Sequence, residues 1–503
     1  MSARTFQGVA LRGWFWSTVV LLAGYVLFLT GSALSAAQRT GLWPLLALIG
    51  VGTAFWVCLA RRDRKLPLFE LGGFCMVATV VYAAIPLVWY ILGGAEFTEL
   101  SHRRLYLLDP TPEQFAAIGW MYVAYAASLG CAYLLVRDRR ATPIQPPLVA
   151  SQSHVISLVI FFGLFQLLFA AFSVLFGVAT NPAYDESLYA SQEAYTQLPL
   201  AARQIFEMAH ACAVVVNCAL VVILTARWRE RFWRLVLFGW IGLTIVEYLI
   251  SPGSRFLLVG MIVSTLLAYD RFVRRIRPAG VIAGLGLLFA AFVVAGLLRG
   301  GIGGATMGST GSELLDLADN SKVLFTISNE FQISYGSSIE LKYLMDHGLL
   351  PQPPWQVFAS ELLLLIPQQL LPFEKVDPVL WYVNVTHDPD FFTYGVVAQS
   401  VLGLGWFELV LRGLMIGALF ALIYNWWARA PQNLWRNVFT IWLVVVCYYT
   451  VRNTSFYLMT LIVMRFLPIV LLVQFLAWLL RALSGTVVQR PALDAPAGPS
   501  SPI

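Results

Sequence analysis

Apolar runs of about 15 to 20 residues recur along this chain, and they constrain its fold more than any other feature. WFWSTVVLLAGYVLFLT near the N-terminus and VLFGWIGLTIVEYLI followed by FLLVGMIVSTLLAYD in the middle are examples. A helix needs about 20 apolar residues to cross a hydrocarbon core of ~30 Å. Soluble domains carry about a quarter charged residues, whereas these 503 residues are 12% charged and 59% hydrophobic. The expectation is an all-α polytopic membrane protein. An outer-membrane barrel would need alternating segments of ~10 residues, and the chain has none. The net charge of +6 follows the membrane boundaries rather than a groove, so no nucleic-acid partner is expected.

The runs predict twelve helices, at 14–36, 43–60, 67–93, 114–136, 154–178, 204–225, 235–250, 256–270, 279–298, 396–427, 435–451 and 457–480. The seventh and eighth are short, so the hairpin between them need not span fully on both arms. Arg4 and Arg12, the first apolar run and GSALSAA resemble a signal peptide. That run is long for one, and it reads as an uncleaved first span. RRDRK (61–65), RDRR (137–140), RWRERFWR (227–234), RFVRRIR (271–277), Arg429 and Arg436 fall on one side with both termini, and 21 of the 33 Lys and Arg lie there. The positive-inside rule makes that side cytoplasmic.

The opposite face carries loops at 94–113, 179–203 and 299–395. Between Glu313 and Asp390 the last of these has eleven acidic residues against three lysines, a net of −8. Loops this long are usually functional. This one holds the helix-like SKVLFTISNEFQISYGSSIELKYLMDHG, then PQPPW, then ELLLLIPQQLLPF. The last piece is short and interrupted by Pro367 and Pro372, which suits an interfacial or re-entrant segment. The expected organisation is a membrane domain at 1–298 with nine helices, a large loop with short helices at 299–395, three further helices at 396–482, and a disordered cytoplasmic tail at 483–503. The spans show no internal repeat of the kind that marks many transporters.

All six cysteines (Cys58, Cys75, Cys131, Cys212, Cys218, Cys447) fall inside apolar runs, which suits small buried hydrophobes rather than disulfides or metal ligands. There is no GxxxxGK[ST], no dinucleotide fingerprint and no GxSxG. No paired carboxylates stand in the first outer loop, AQRTGL. Neither a metal nor a cofactor is expected.

Twelve cationic residues remain off the cytoplasmic loops: Arg39, Arg103, Arg104, Arg203, Arg255, Arg299, Lys322, Lys342, Lys375, Arg412, Arg452 and Arg465. A guanidinium is a planar fork that grips phosphate oxygens at two points, and a charge at the bilayer centre costs roughly 2.5–3.5 kcal/mol. Arg255 in the hairpin SPGSR, Arg299 at the end of a span and Arg452 in the turn RNTS can together hold a lipid diphosphate. Alternatively each snorkels to headgroups or pairs with a loop acid. Arg412 stands four residues after Glu408, on one helix face, which favours a local ion pair. Arg465 has no local partner and needs a polar cavity or a carboxylate elsewhere, with Glu207, Glu247 and His210 as candidates. His102, Arg103 and Arg104 in SHRR and Arg203 also suit an anion. For a general base the long loop offers Glu330, His387, Asp388 and Asp390, although loop acids are commonly just solvated. Trp355, Trp381 and Tyr382 suit sugar stacking or an interfacial belt.

The hairpin GSR leading into an apolar helix, the very long outer loop, and IPQQLLPF with DP and FFTYGVVAQSVLGLGWFELVLRGLMIG after it together resemble bacterial O-antigen polymerases. The likeness covers most of the membrane domain in layout and a few short motifs in residues. The family's R-x10-G pattern is met only nearly, since eleven residues separate Arg299 from Gly311, and no second copy follows. The resemblance implies a GT-C-like, metal-independent glycosyltransferase of the bacterial inner membrane with its site facing the periplasm. It would transfer a growing glycan from undecaprenyl diphosphate to a lipid-linked repeat unit, in the company of membrane lipids and a chain-length regulator. Arg255, Arg299 and Arg452, then Arg103, would hold the diphosphate, and Glu330 or His387 would be the base. An O-antigen ligase, a polysaccharide transporter and a lipid-linked glycosyltransferase of another membrane fold are the alternatives.

Overall fold

The computed structural model describes residues 34–62, 70–93, 111–138, 152–176, 199–250, 255–274, 276, 321–363, 366, 368–376, 381, 384–385, 395–429, 433–453, 455 and 457–483, and no strand occurs among them. The helices are α1 (Ala36–Arg62), α2 (Leu71–Gly93), α3 (Pro112–Val136), α4 (Gln152–Phe176), α5 (Leu200–Ala226), α6 (Arg231–Ile250), α7 (Arg255–Phe272), α8 (Ser321–Asp346), α9 (Trp355–Leu362), α10 (Val396–Leu402), α11 (Trp406–Arg429), α12 (Leu434–Val446), α13 (Tyr449–Arg452) and α14 (Tyr457–Leu483). This is a helical membrane protein. Among the described residues five helices are long and apolar enough to cross a bilayer, within α1, α2, α3, α11 and α14, and shorter apolar helices lie within α4, α5 and α12.

Ten of the twelve expected segments are helical here; 14–36, apart from its last residues, and 279–298 lie outside the described residues, as does the tail 484–503. Two expectations need correction. The single helix expected over 396–427 is two, α10 and α11, because Gly405 takes a left-handed φ of 61° that glycine adopts freely. The helix expected over 435–451 ends at Val446, and α13 follows as a separate turn. The long loop also contributes more than short helices, since α8 runs for 26 residues.

Local sequence accounts for several boundaries. Thr111 caps α3 by accepting from the Gln114 amide, Gln114 returns the bond, and Pro112 opens the first turn, where a missing N–H costs nothing. Asn433 caps α12 through the Arg436 amide at 2.8 Å.

The bundle is built around two helices. α3 packs against α1, α2, α8 and α11, and α5 packs against α4, α6, α7, α12 and α14. The α3–α11 contact is close because α11 presents glycine to it. A Cβ at Gly413 would collide with Ser128 Oγ, and one at Gly417 with the Leu129 carbonyl oxygen. Small residues four apart let membrane helices approach at backbone distance. Next to this seam a column of rings fills the core: Tyr90 on Phe115 at 4.0 Å, Phe115 against Tyr335 at 5.0 Å, and Tyr335 stacked on Tyr122 at 5.5 Å. Through Tyr335, whose hydroxyl donates to the Phe115 carbonyl at 2.9 Å, α8 becomes part of the bundle rather than a cover over it.

The two ends differ in chemistry. At one end Arg137 pairs with Glu70 and donates to the Tyr424 hydroxyl, and Arg429 reaches Asp138. At the same end Arg271 donates to Asn437 and lies 3.7 Å from the Trp427 ring centre, while Arg481 donates to Ser153. The basic turns of the sequence therefore gather at one end. The other end is capped by α8, α9 and α13.

Candidate functional site

At the end opposite the basic turns, the chain between α12 and α14 does not run as regular helix. α12 stops at Val446, α13 makes one turn, and the first turn of α14, Tyr457–Thr460, leads into a π-helical stretch, Leu461–Phe466. Wide turns of this kind often mark functional positions. The interruption carries two of the arginines singled out in the sequence. Arg452 closes α13, and its carbonyl accepts from Ser334 Oγ of α8 at 3.2 Å. Arg465 lies in the π-helical stretch and donates through Nη2 to the Tyr457 hydroxyl at 3.0 Å.

Aromatic rings line the same stretch. Tyr448 stacks on Tyr449 at 4.3 Å and Tyr449 meets Tyr457 at 5.6 Å. The fields of Arg452 and Arg465 both reach the Tyr449 hydroxyl, so the two guanidinium groups share one neighbourhood. Ser455, almost fully buried, and Asn453 each keep a buried side-chain oxygen without a hydrogen-bond partner among the described residues. An arginine pair with spare polar groups and ring faces beside it suits an anionic ligand that carries a sugar.

Backbone register brings other predicted positions to this end. α7 runs antiparallel to α12, with Gly260 against Val445 at one level and Arg271 against Asn437 at the other. Arg255, the first residue of α7, is therefore at the end that holds Arg452. Cys212 of α5 contacts the Arg465 carbonyl, and Arg203 stands nine residues nearer the start of α5. Glu330 is on α8, one turn before Ser334. The side chains of Arg203, Arg255 and Glu330 lie outside the described residues, and so do His102, Arg103, Arg104, Arg299, His387 and Asp388 altogether. Glu207, Glu247 and His210, considered as partners for Arg465, also have side chains outside the description; its described partner is Tyr457.

A second polar cluster flanks α10. Arg412 donates through Nε to Glu408 Oε1 at 2.8 Å, as the four-residue spacing predicts. It also makes a two-point contact with Glu361 of α9, Nη1 to Oε1 at 2.8 Å and Nη2 to Oε2, and Nη1 lies 3.4 Å from Gln399 Oε1 of α10. Glu408 Oε2 in turn accepts from the Leu404 amide at 2.9 Å. All three charged side chains are buried. Gly403 makes room for this carboxylate, since a Cβ there would collide with Glu408 Oε2. Glu361 is a residue that sequence reasoning missed: it stands 51 positions from Arg412, and no local pattern connects them. The cluster ties the long loop to a spanning helix, and Gly395 at the head of α10 lies against Val451 and Ser334. The tie therefore also holds the floor on which the Arg452 turn rests.

No group of three or more His, Cys, Asp or Glu with metal-binding geometry occurs among the described residues. The cysteines are all free thiols, with Cys75, Cys212, Cys218 and Cys447 buried. Comparison of the chain with family models, curated proteins and solved structures returned no match.

Proposed function

We propose that this chain is a membrane glycosyltransferase that joins undecaprenyl-diphosphate-linked oligosaccharide repeat units into an O-antigen or related surface polysaccharide, working at the periplasmic face of a bacterial inner membrane. The observation that carries the reading is the interrupted helix at 446–466. It holds Arg452 and Arg465 beside tyrosine rings at the bundle end away from the basic turns, with the helix that bears Glu330 docked on it.

The chemistry needs little more than such a site. In the donor, the anomeric carbon is already activated by its bond to the diphosphate. The acceptor hydroxyl attacks that carbon, the C–O bond to the diphosphate breaks, and undecaprenyl diphosphate leaves with the bonding pair. The hydroxyl proton passes to a base. The protein must hold the departing charge, orient the two sugars and accept the proton. Arg452, Arg465 and Arg255 take the first task, with Arg299, Arg103, Arg104, His102 and Arg203 as further candidates for it. Glu330, or His387 with Asp388, takes the proton. Permanently charged arginines do this without a metal.

The test is a polymer ladder from cells that depend on this chain. Arg452→Ala, Arg465→Ala and Arg255→Ala should each abolish polymer while single lipid-linked repeat units and the folded protein persist. Unchanged polymer length and amount in all three would overturn the assignment. Polymer made but stranded on its carrier lipid would instead identify a ligase. Repeat units retained on the cytoplasmic side would identify a transporter.

A further inference from the structure

The segment after α9 exposes apolar side chains while closing off its own backbone. Ile366 and Leu370 are 38% and 73% exposed, and Trp355, which packs edge-on against Phe373 at 4.8 Å, is 58% exposed. Residues 363, 366 and 371–376 are non-helical and Gln368–Leu370 makes a short turn, so their amides and carbonyls need partners from outside a helix ladder. They find several within the segment. Gln368 donates to the Phe373 carbonyl and accepts from the Lys375 amide, both at 2.8 Å. Lys375 Nζ donates to the Ile366 carbonyl, and the Val376 amide donates to Ser360 Oγ at 2.8 Å. Irregular backbone does not face the hydrocarbon itself, so a segment that bonds its polar groups internally while exposing apolar side chains suits the interface, where only those side chains reach the acyl region.

The segment also adjoins a lipid-facing surface. α9 is pinned to α11 by Glu361 and Arg412, and Phe358 lies against Gly403. Next to it, at the head of spanning helix α11, Leu404, Trp406 and Phe407 are 69%, 49% and 69% exposed. Exposed apolar residues at the end of a spanning helix face lipid, and tryptophan favours the headgroup boundary. The exposed apolar side chains of 355–373 extend that belt sideways.

We propose that Ile366 and residues 368–376, with Trp355, lie in the bilayer interface at the end of the bundle away from the basic turns, with Ile366 and Leu370 dipping into the acyl chains. Lys375 sits where an ammonium can reach the headgroups. The segment is an in-plane anchor that holds the long loop against the lipid surface. The inference rests on the membrane setting alone and is independent of the proposed reaction.

Site-directed nitroxide labelling of the full chain in phosphatidylethanolamine–phosphatidylglycerol nanodiscs tests it. The exposed native thiols Cys58 and Cys131 are first replaced by alanine, and Ile366→Cys, Leu370→Cys and Glu374→Cys are labelled one at a time. At 366 and 370 the label should collide more often with oxygen, which concentrates in lipid, than with a water-soluble nickel chelate. At 374, an exposed position, the order should reverse. Nickel collisions at 366 and 370 as frequent as at 374 would overturn the proposal in favour of a water-exposed loop. Shielding from both reagents at both positions would overturn it in favour of a covering protein surface. All three positions are on the surface, so the label displaces no core packing, and two independent apolar positions must agree.

Discussion

The Arg412 cluster makes a prediction that depends on counting charges. Two carboxylates, Glu361 and Glu408, meet one guanidinium, and their side chains are 5%, 11% and 6% exposed. Replacing Glu361 by glutamine leaves a one-to-one pair, Arg412 with Glu408, still joined through Nε at 2.8 Å. The loss is then that of hydrogen bonds to a charged group, about 1.5–3 kcal/mol. Replacing Arg412 by methionine keeps the volume but leaves two buried carboxylates facing each other with no cation. Removing one partner of a buried pair costs roughly 3–5 kcal/mol, and here like-charge repulsion adds to it. Arg412→Met should therefore be clearly worse than Glu361→Gln or Glu408→Gln, and the double variant Arg412→Met/Glu361→Gln should be better than Arg412→Met alone. Thermal unfolding of purified protein in one detergent reads the order. If Arg412→Met is no worse than Glu361→Gln and the double variant is no better than Arg412→Met, the cluster is not an ion network and the reasoning fails.

Other expectations are simpler. Tyr457→Phe removes the acceptor for Arg465 Nη2; losing a charge-assisted bond of about 1.5–3 kcal/mol should slow polymerisation roughly ten- to a hundredfold at normal protein level, and an unchanged rate would separate Arg465 from the reaction. Gly417→Val forces a side chain against the Leu129 carbonyl and should cost about 1–3 kcal/mol or more in thermal unfolding. Gly163→Ala, at an open position inside α4, should raise stability by about 0.5–1 kcal/mol, because alanine has less backbone freedom to lose on folding. Gly403→Ala should resemble Glu408→Gln in unfolding, because its Cβ occupies the place of the Glu408 carboxylate.

What the sequence made legible, and what it did not, follows the range of the interactions. Helix positions came through because burial in lipid demands about 20 apolar residues in a row, a signal contained in each segment. The Glu408–Arg412 pair came through because both residues share one helix face. The gathering of the basic turns at one end came through because each turn carries its own charges. The α3–α11 contact has a local signal too, since Gly413 and Gly417 are four apart in an apolar run. The breaks are a different matter. Gly403 and Gly405 lie inside a run apolar enough to be one helix, and only the demand of Glu408 for space and the left-handed turn at Gly405 divide it. The π-helical stretch LIVMRF has the composition of ordinary helix, and the contact that goes with its widening comes from another helix, Cys212 of α5 at the Arg465 carbonyl. Glu361 finds Arg412 across 51 positions. A buried arginine in a spanning helix announces that a carboxylate must come to it, and the cost of leaving that charge unpaired favours holding the long loop's Glu361 against the bundle. The same pairing then fixes α10 and, through Gly395 and Ser334, the backbone at Arg452. On this account the long loop is part of the site's foundation, and a variant that frees α9 should loosen the Arg452 turn without altering any residue within it.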